Sequence, residues 1–181
     1  MTWQQTDMMT STTRIASNRY TKSDGWGIPQ FVDQQNAGTS ADPLIGVDYE
    51  DTILTFWPWL YYNGSTTHHC FSARYTDEFG WEIPEYADYH NGIYSLTTPD
   101  FSMSPAGGAF AVWVQEDSTV YNIMAARFTR DSGWGEPELA EFDDTANALY
   151  PRLSMNPDGQ AIIVWMHSDG YFYQVWANLF E

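Results

Sequence analysis

The sequence holds a single cysteine, Cys70, among 181 residues. No intrachain disulfide can form, which excludes a small disulfide-stapled scaffold. Basic residues are also scarce: seven Lys and Arg face 24 Asp and Glu, for a formal charge of −17. A surface this negative repels phosphate backbones and anionic lipid, so nucleic acid and membrane are poor partners. Neutral sugars, cations or a basic protein face remain, and the charge also serves solubility on its own. No apolar run reaches the roughly 18 residues of a membrane span. The opening MTWQQTDMMTSTTR lacks the basic start and apolar stretch of a signal peptide. Apolar residues at helical spacing are missing, and so are G-x-S-x-G, P-loop and H-E-x-x-H motifs.

Aromatic residues are plentiful, with nine Trp, twelve Tyr and ten Phe. Such a chain folds rather than remaining disordered, and flat rings favour the pleated surface of a sheet. The aromatics recur. NRYTKSDGWGIPQ from Asn18, ARYTDEFGWEIPE from Ala73 and ARFTRDSGWGEPE from Ala126 superpose, with Trp26, Trp81 and Trp134 spaced by 55 and 53 residues. A fourth start, Ala177-Asn178-Leu179-Phe180, places Phe180 52 residues after Phe128. A second landmark keeps the register: DTILTFW, AFAVW and AIIVW end at Trp57, Trp113 and Trp165. Two landmarks in one register establish an internal repeat.

Each unit reads as four short strands. The first runs through Pro43–Val47, Pro99–Met103 and Pro151–Met155, followed by turns such as Ser104-Pro105-Ala106-Gly107-Gly108 and Asn156-Pro157-Asp158-Gly159. The second is the apolar run ending in Trp, whose continuous apolar character predicts burial on both faces. The third contains the Arg-aromatic-Thr landmark. The fourth begins at Gly-Trp and carries Pro29, Pro84 or Pro137, which places it at a sheet edge. The expected fold is therefore all-β, a β-propeller of four-stranded blade repeats, incomplete at both ends. The blades are a partial 1–42, then 43–98 and 99–150, then a partial 151–181, in one domain. A two-sheet sandwich is the alternative, but it does not explain the constant spacing. Unpaired edges predict self-assembly, ring closure or membership of a larger propeller.

Ser23-Asp24-Gly25-Trp26 and Asp131-Ser132-Gly133-Trp134, between third and fourth strands, resemble the turns of sialidase-like, Asp-box-type bacterial β-propeller repeats. The second copy, Asp77-Glu78-Phe79-Gly80-Trp81, lacks the serine. Small self-assembling propeller lectins are a weaker, architectural likeness; their blades supply Trp and Arg to sugar sites. The likeness implies a propeller and an extracellular or cell-surface setting, and it specifies fold rather than chemistry.

Three of the six arginines, Arg19, Arg74 and Arg127, occupy one repeat position. Either they form repeated ligand sites that donate to hydroxyl or carboxylate oxygens, or each packs its stem on the blade Trp and pairs with an acid. Trp57, Trp113 and Trp165 offer stacking faces for sugar rings, or core anchors. Trp26, Trp81 and Trp134 are expected as wedges between blades. The second unit carries a three-residue insertion with the aromatic stretch Trp57-Pro58-Trp59-Leu60-Tyr61-Tyr62-Asn63-Gly64-Ser65. Trp59 and Tyr61 there become candidate ligand or assembly contacts. His68-His69-Cys70 alternates across a strand and has no second ligand cluster, so no metal is expected. Asp158-Gly159 and Asp169-Gly170 lack EF-hand spacing.

The resulting expectation is a non-catalytic binding module, not an enzyme, that holds glycan through repeated Trp/Arg sites without a cofactor. A structural or self-assembling surface protein with protein partners is the alternative.

Overall fold

The computed structural model describes residues 1–33, 38–62, 66–88, 96–117, 120–143 and 145–181. Every regular element among them is a strand. The first unit contains β1 (Thr2–Asp7), β2 (Thr12–Ser17), β3 (Tyr20–Thr21), β4 (Gly25–Trp26) and β5 (Gln30–Phe31). Then come β6 (Thr39–Ser40), β7 (Leu44–Val47), β8 (Ile53–Tyr62), β9 (Thr66–Thr76), β10 (Gly80–Trp81) and β11 (Glu85–Tyr86). The third unit has β12 (Leu96–Met103), β13 (Ala109–Asp117), β14 (Val120–Thr129), β15 (Gly133–Trp134) and β16 (Glu138–Leu139). The last has β17 (Ala148–Met155), β18 (Ala161–Ser168) and β19 (Tyr173–Phe180).

The third and fourth units are antiparallel meanders, β12-β13-β14-β15 with β16 also on β14 and β17-β18-β19, whereas β6 joins the first two units into one nine-stranded sheet. The proline-bearing stretch is an edge broken in two: β10 and β11 both pair with β9, and the segment holding Pro84 between them makes no ladder. A proline there forfeits no hydrogen bond because none is required. Gly25, Gly80 and Gly133 open these short strands at φ of +74°, +73° and +71°, which explains why glycine precedes each repeated tryptophan.

Pro99 and Pro151 lie within the first strand of their sheets, and Pro43 lies in the gap between β6 and β7. The ladder slips between Thr97 and Asp100 and again between Leu149 and Arg152, and Asp42 and Tyr150 take positive φ beside their prolines. In the second unit this break separates β6 from β7. β6 then bridges two units, parallel to β2 through Thr13 and Thr39 and antiparallel to β8 through Leu60 and Trp59. The insertion lengthens the β8–β9 hairpin that β6 joins; its tip, Asn63-Gly64-Ser65, lies outside the described residues.

The cores lie between consecutive units. Ile15 and Val32 meet Trp57, Trp59, Phe71 and Ala73. Leu54, Phe56 and Cys70 meet Trp113, Phe128 and Trp134. Val112, Val114 and Ile123 meet Ile163 and Trp165. β13 is buried on both faces over Ala109–Val114. β18 alternates instead, with Ile162 and Met166 exposed, so the apolar second strand is covered on one face only in the last unit.

Candidate functional site between the first two units

The three arginines, Arg74 on β9, Arg127 on β14 and Arg19 between β2 and β3, reach toward the following unit, but their environments differ. Arg74 Nε donates to Glu82 Oε1 at 3.0 Å and Nη1 to the Arg130 carbonyl at 3.3 Å. Arg127 Nη1 donates to the Glu181 carbonyl at 3.2 Å, its guanidinium 5.4 Å from the Phe110 ring centre. Arg19 forms a two-pronged pair with Asp77 of the next unit, Nη2 to Oδ2 at 3.1 Å, and lies 5.7 Å from the Tyr75 ring centre. Its hydrogen bonds to Asp77 raise the Arg19 pKa above its ordinary value.

Beside Arg19 the units leave two grooves, of about 320 Å³ and 230 Å³, which share Ser17, Asn18, Arg19, Tyr75 and Trp81. The larger adds Tyr20, Trp26, Ile45, Val47 and Asp51; the smaller adds Asp24 and the Gly25–Ile28 turn. Tyr20 and Trp26 meet edge-on at 5.5 Å, and Trp26 is 56% exposed. Trp81 Nε1 donates to Ser17 Oγ at 2.8 Å, which fixes the ring that floors both grooves. Asp24 is held below the usual carboxylate range by the hydroxyls of Ser23 and Thr21. Rings, hydroxyls, an amide and a paired guanidinium around an open groove match the needs of a polyhydroxylated ligand with apolar C–H faces.

The other candidate residues are not brought to this place. Trp57, Trp113 and Trp165 are 0%, 0% and 2% exposed and serve as core anchors with no face toward solvent. Trp59 is buried and stacks on Tyr61 at 5.3 Å, near the far end of the β8–β9 hairpin. Arg74 pairs with Leu54, seven residues before Tyr61 on β8, so Tyr61 stands roughly 23 Å from the arginine end. Of the expected wedges, Trp81 and Trp134 bridge units through Ser17 and Ser72, while Trp26 is left open. Asp169 closes its own turn, accepting from Tyr171 and Phe172. Among the described residues no three His, Cys, Asp or Glu side chains gather as metal ligands.

One repeated feature escaped the sequence reading: an acid four residues after each edge proline, Asp33, Asp88 and Glu141. All three are buried, and each accepts the backbone N–H of its own third strand, from Ile15, Cys70 and Ile123. Asp33 also takes Arg14 Nε at 3.0 Å, and Asp88 takes His69 Nδ1 at 2.8 Å. They strap the outer edge to the third strand. The constant proline-to-acid spacing was the available signal.

No protein-family model and no curated protein matches the chain. The Asp-box likeness therefore gains no support at the level of sequence families. Among solved structures the chain is similar to the endo-arabinase of Bacteroides thetaiotaomicron VPI-5482, at 13% identity and a TM-score of 0.51. The match covers 94% of this chain and 66% of that one. It also matches, at TM-scores of 0.40 and 0.38, the α-L-arabinofuranosidase PaAbf62A from Podospora anserina and a protein of unknown function from Dyadobacter fermentans DSM 18053. These cover 91% and 93% of this chain, 59% and 68% of theirs, at 12% identity each. The chain thus spans just under two thirds of the endo-arabinase, and what the two share is the fold, an all-β array of curled sheets.

The exclusion of enzymatic activity drawn from the sequence does not stand, because a glycoside hydrolase uses this fold. The physical reason is general. Glycoside hydrolysis needs two carboxylates facing one sugar, contributed by separate strands, and leaves no contiguous motif to find.

Proposed function

We propose that the chain is a carbohydrate-active propeller unit whose first inter-blade groove, around Arg19, receives a saccharide. The observation that carries the reading is the groove itself: Trp26 and Tyr20 offer ring faces, and Arg19, Asn18 and Ser17 offer polar groups within one open cleft. Sugar C–H faces stack on aromatic rings while hydroxyls exchange hydrogen bonds with the polar set. The fold supports this, since a protein that acts on arabinan is built the same way. Titration with arabino-oligosaccharides and a panel of other simple glycans, read by Trp fluorescence, tests it. Saturable quenching that is lost in Trp26→Ala is the expected result; a flat response across the panel removes the reading.

A second reading is favoured by the fold alone: hydrolysis of an arabinose-containing polysaccharide. Release of reducing ends from arabinan decides it, and none above the no-protein control removes it. We read the four units as blades of one propeller, with Ile162, Met166, Val175 and Leu179 exposed on the last sheet as a face that another blade covers. A surface or extracellular setting, where polysaccharide is met, accords with this.

A further inference from the structure

We propose that Asp77 sets the charge selectivity of the Arg19 groove, so that it takes uncharged saccharides and rejects acidic ones. This rests on the groove being a saccharide site. An arginine facing an open groove is by default an anion receptor, because its planar fork matches a carboxylate at two points. Here the fork is already occupied. Both Asp77 oxygens face the two Nη atoms of Arg19, in the geometry that a sugar carboxylate would need.

The repeat shows that this pairing is a choice rather than a requirement of the fold. Asp77 is the third residue of Tyr75-Thr76-Asp77; the same place holds Lys22 in Tyr20-Thr21-Lys22 and Arg130 in Phe128-Thr129-Arg130. Basic side chains suit this place in both neighbouring units, so the turn itself does not demand the acid that pairs with Arg19. The rest of the lining agrees. Asp24 and Asp51 stand at the groove, and Arg19 is the only cationic side chain lining either cavity among the described residues. With Arg19 compensated by Asp77, Asp24 leaves the smaller groove negative, Asp51 offsets the Met1 ammonium that lines the larger one, and the chain as a whole carries −17. The guanidinium keeps N–H groups for neutral oxygens, since five donors exceed what one carboxylate accepts in the fork.

The test compares neutral oligosaccharides with oligogalacturonides on the intact chain, by calorimetry and Trp fluorescence. The wild type is expected to bind the neutral set and to bind oligogalacturonides at least about tenfold more weakly. Asp77→Asn is expected to raise oligogalacturonide affinity about tenfold while neutral affinity changes less than about threefold. Adding Arg19→Gln to that variant should abolish the gain. Neutral binding with no change in acidic binding on Asp77→Asn overturns the inference but leaves the saccharide reading intact. Preference of the wild type for the acidic ligand also overturns it. Silence toward both ligands removes the saccharide reading and this inference together. Should Asp77→Asn fold poorly, salt dependence of the wild type serves instead. Oligogalacturonide binding that strengthens with added salt while neutral binding stays flat supports the inference, and acidic binding that weakens with salt contradicts it.

Discussion

Two neighbouring junctions use the same parts to opposite ends. At each, a tryptophan from the later unit donates its Nε1 to a serine of the earlier one, Trp81 to Ser17 and Trp134 to Ser72. At each, that tryptophan meets an aromatic partner edge-on at 5.4 Å, Tyr75 or Phe128. Between the second and third units the remaining space is filled. Phe56 stacks against Phe101 and Trp113 and touches Trp134, and Gly46 passes so close to Met103 that a Cβ there would lie 2.4 Å from it. Arg130 then clamps the rim onto Asp48 and Glu50. Between the first and second units the clamp is reversed in polarity, Arg19 to Asp77, and grooves replace the packed rings. Repeat identity thus reports what the fold requires, and divergence between equivalent positions marks where function is free to act.

The sharpest way to break this comparison is to truncate equivalent rings. Trp134→Ala empties a packed site and is expected to cost about 3–5 kcal/mol, whereas Trp26→Ala should stay within about 0.5 kcal/mol, both by urea unfolding. A Trp26 variant as damaging as Trp134 would show that the Trp26 ring is covered in solution. Next in size is the clamp. Arg130→Ala leaves the enclosed Asp48 carboxylate without its guanidinium and should cost about 1–3 kcal/mol. Asp77→Asn removes a solvent-exposed pair and should cost less than about 1 kcal/mol.

Cys70 sharpens the same contrast from the closed side. It is fully buried in the second–third core, and burial pushes its thiol pKa well up. A thiol reagent is expected to label it only as the protein unfolds; fast labelling under native conditions would mean that this junction opens. The smallest effect concerns His68, whose folded pKa burial lowers from 6.5. The neutral ring is the form that the fold accommodates. Its contribution is therefore complete above the unfolded value and declines as pH falls through about 6.5 toward the folded pKa. His68→Gln should flatten that slope in urea midpoints measured from pH 7.5 to pH 5.

Much of the architecture was legible because the sheets repeat their constraints. The apolar runs announced buried second strands and the prolines announced an edge, but the break in that edge and the positive φ of the glycine before each tryptophan were not read. What could not be read is position within the array. Trp26 and Trp134 occupy one repeat position, yet their exposures are 56% and 7%, because coverage depends on the neighbouring unit rather than on local sequence. The same holds for Trp57, Trp113 and Trp165, whose rings suit sugar stacking but are sealed between sheets. Arg19, Arg74 and Arg127 looked equivalent until their partners, Asp77, Glu82 and the Glu181 carbonyl, were in view. The acidic straps at Asp33, Asp88 and Glu141 were visible as a spacing, but a lone acid after a strand gives no hint that it turns inward.

The most direct test is a saccharide titration of three arginine variants side by side. Arg19→Gln should lose at least about tenfold in neutral-oligosaccharide affinity, while Arg74→Gln and Arg127→Gln stay near the wild type. Equal losses in all three, or an Arg19→Gln protein that binds as well as the wild type, would contradict a site built at the first junction alone.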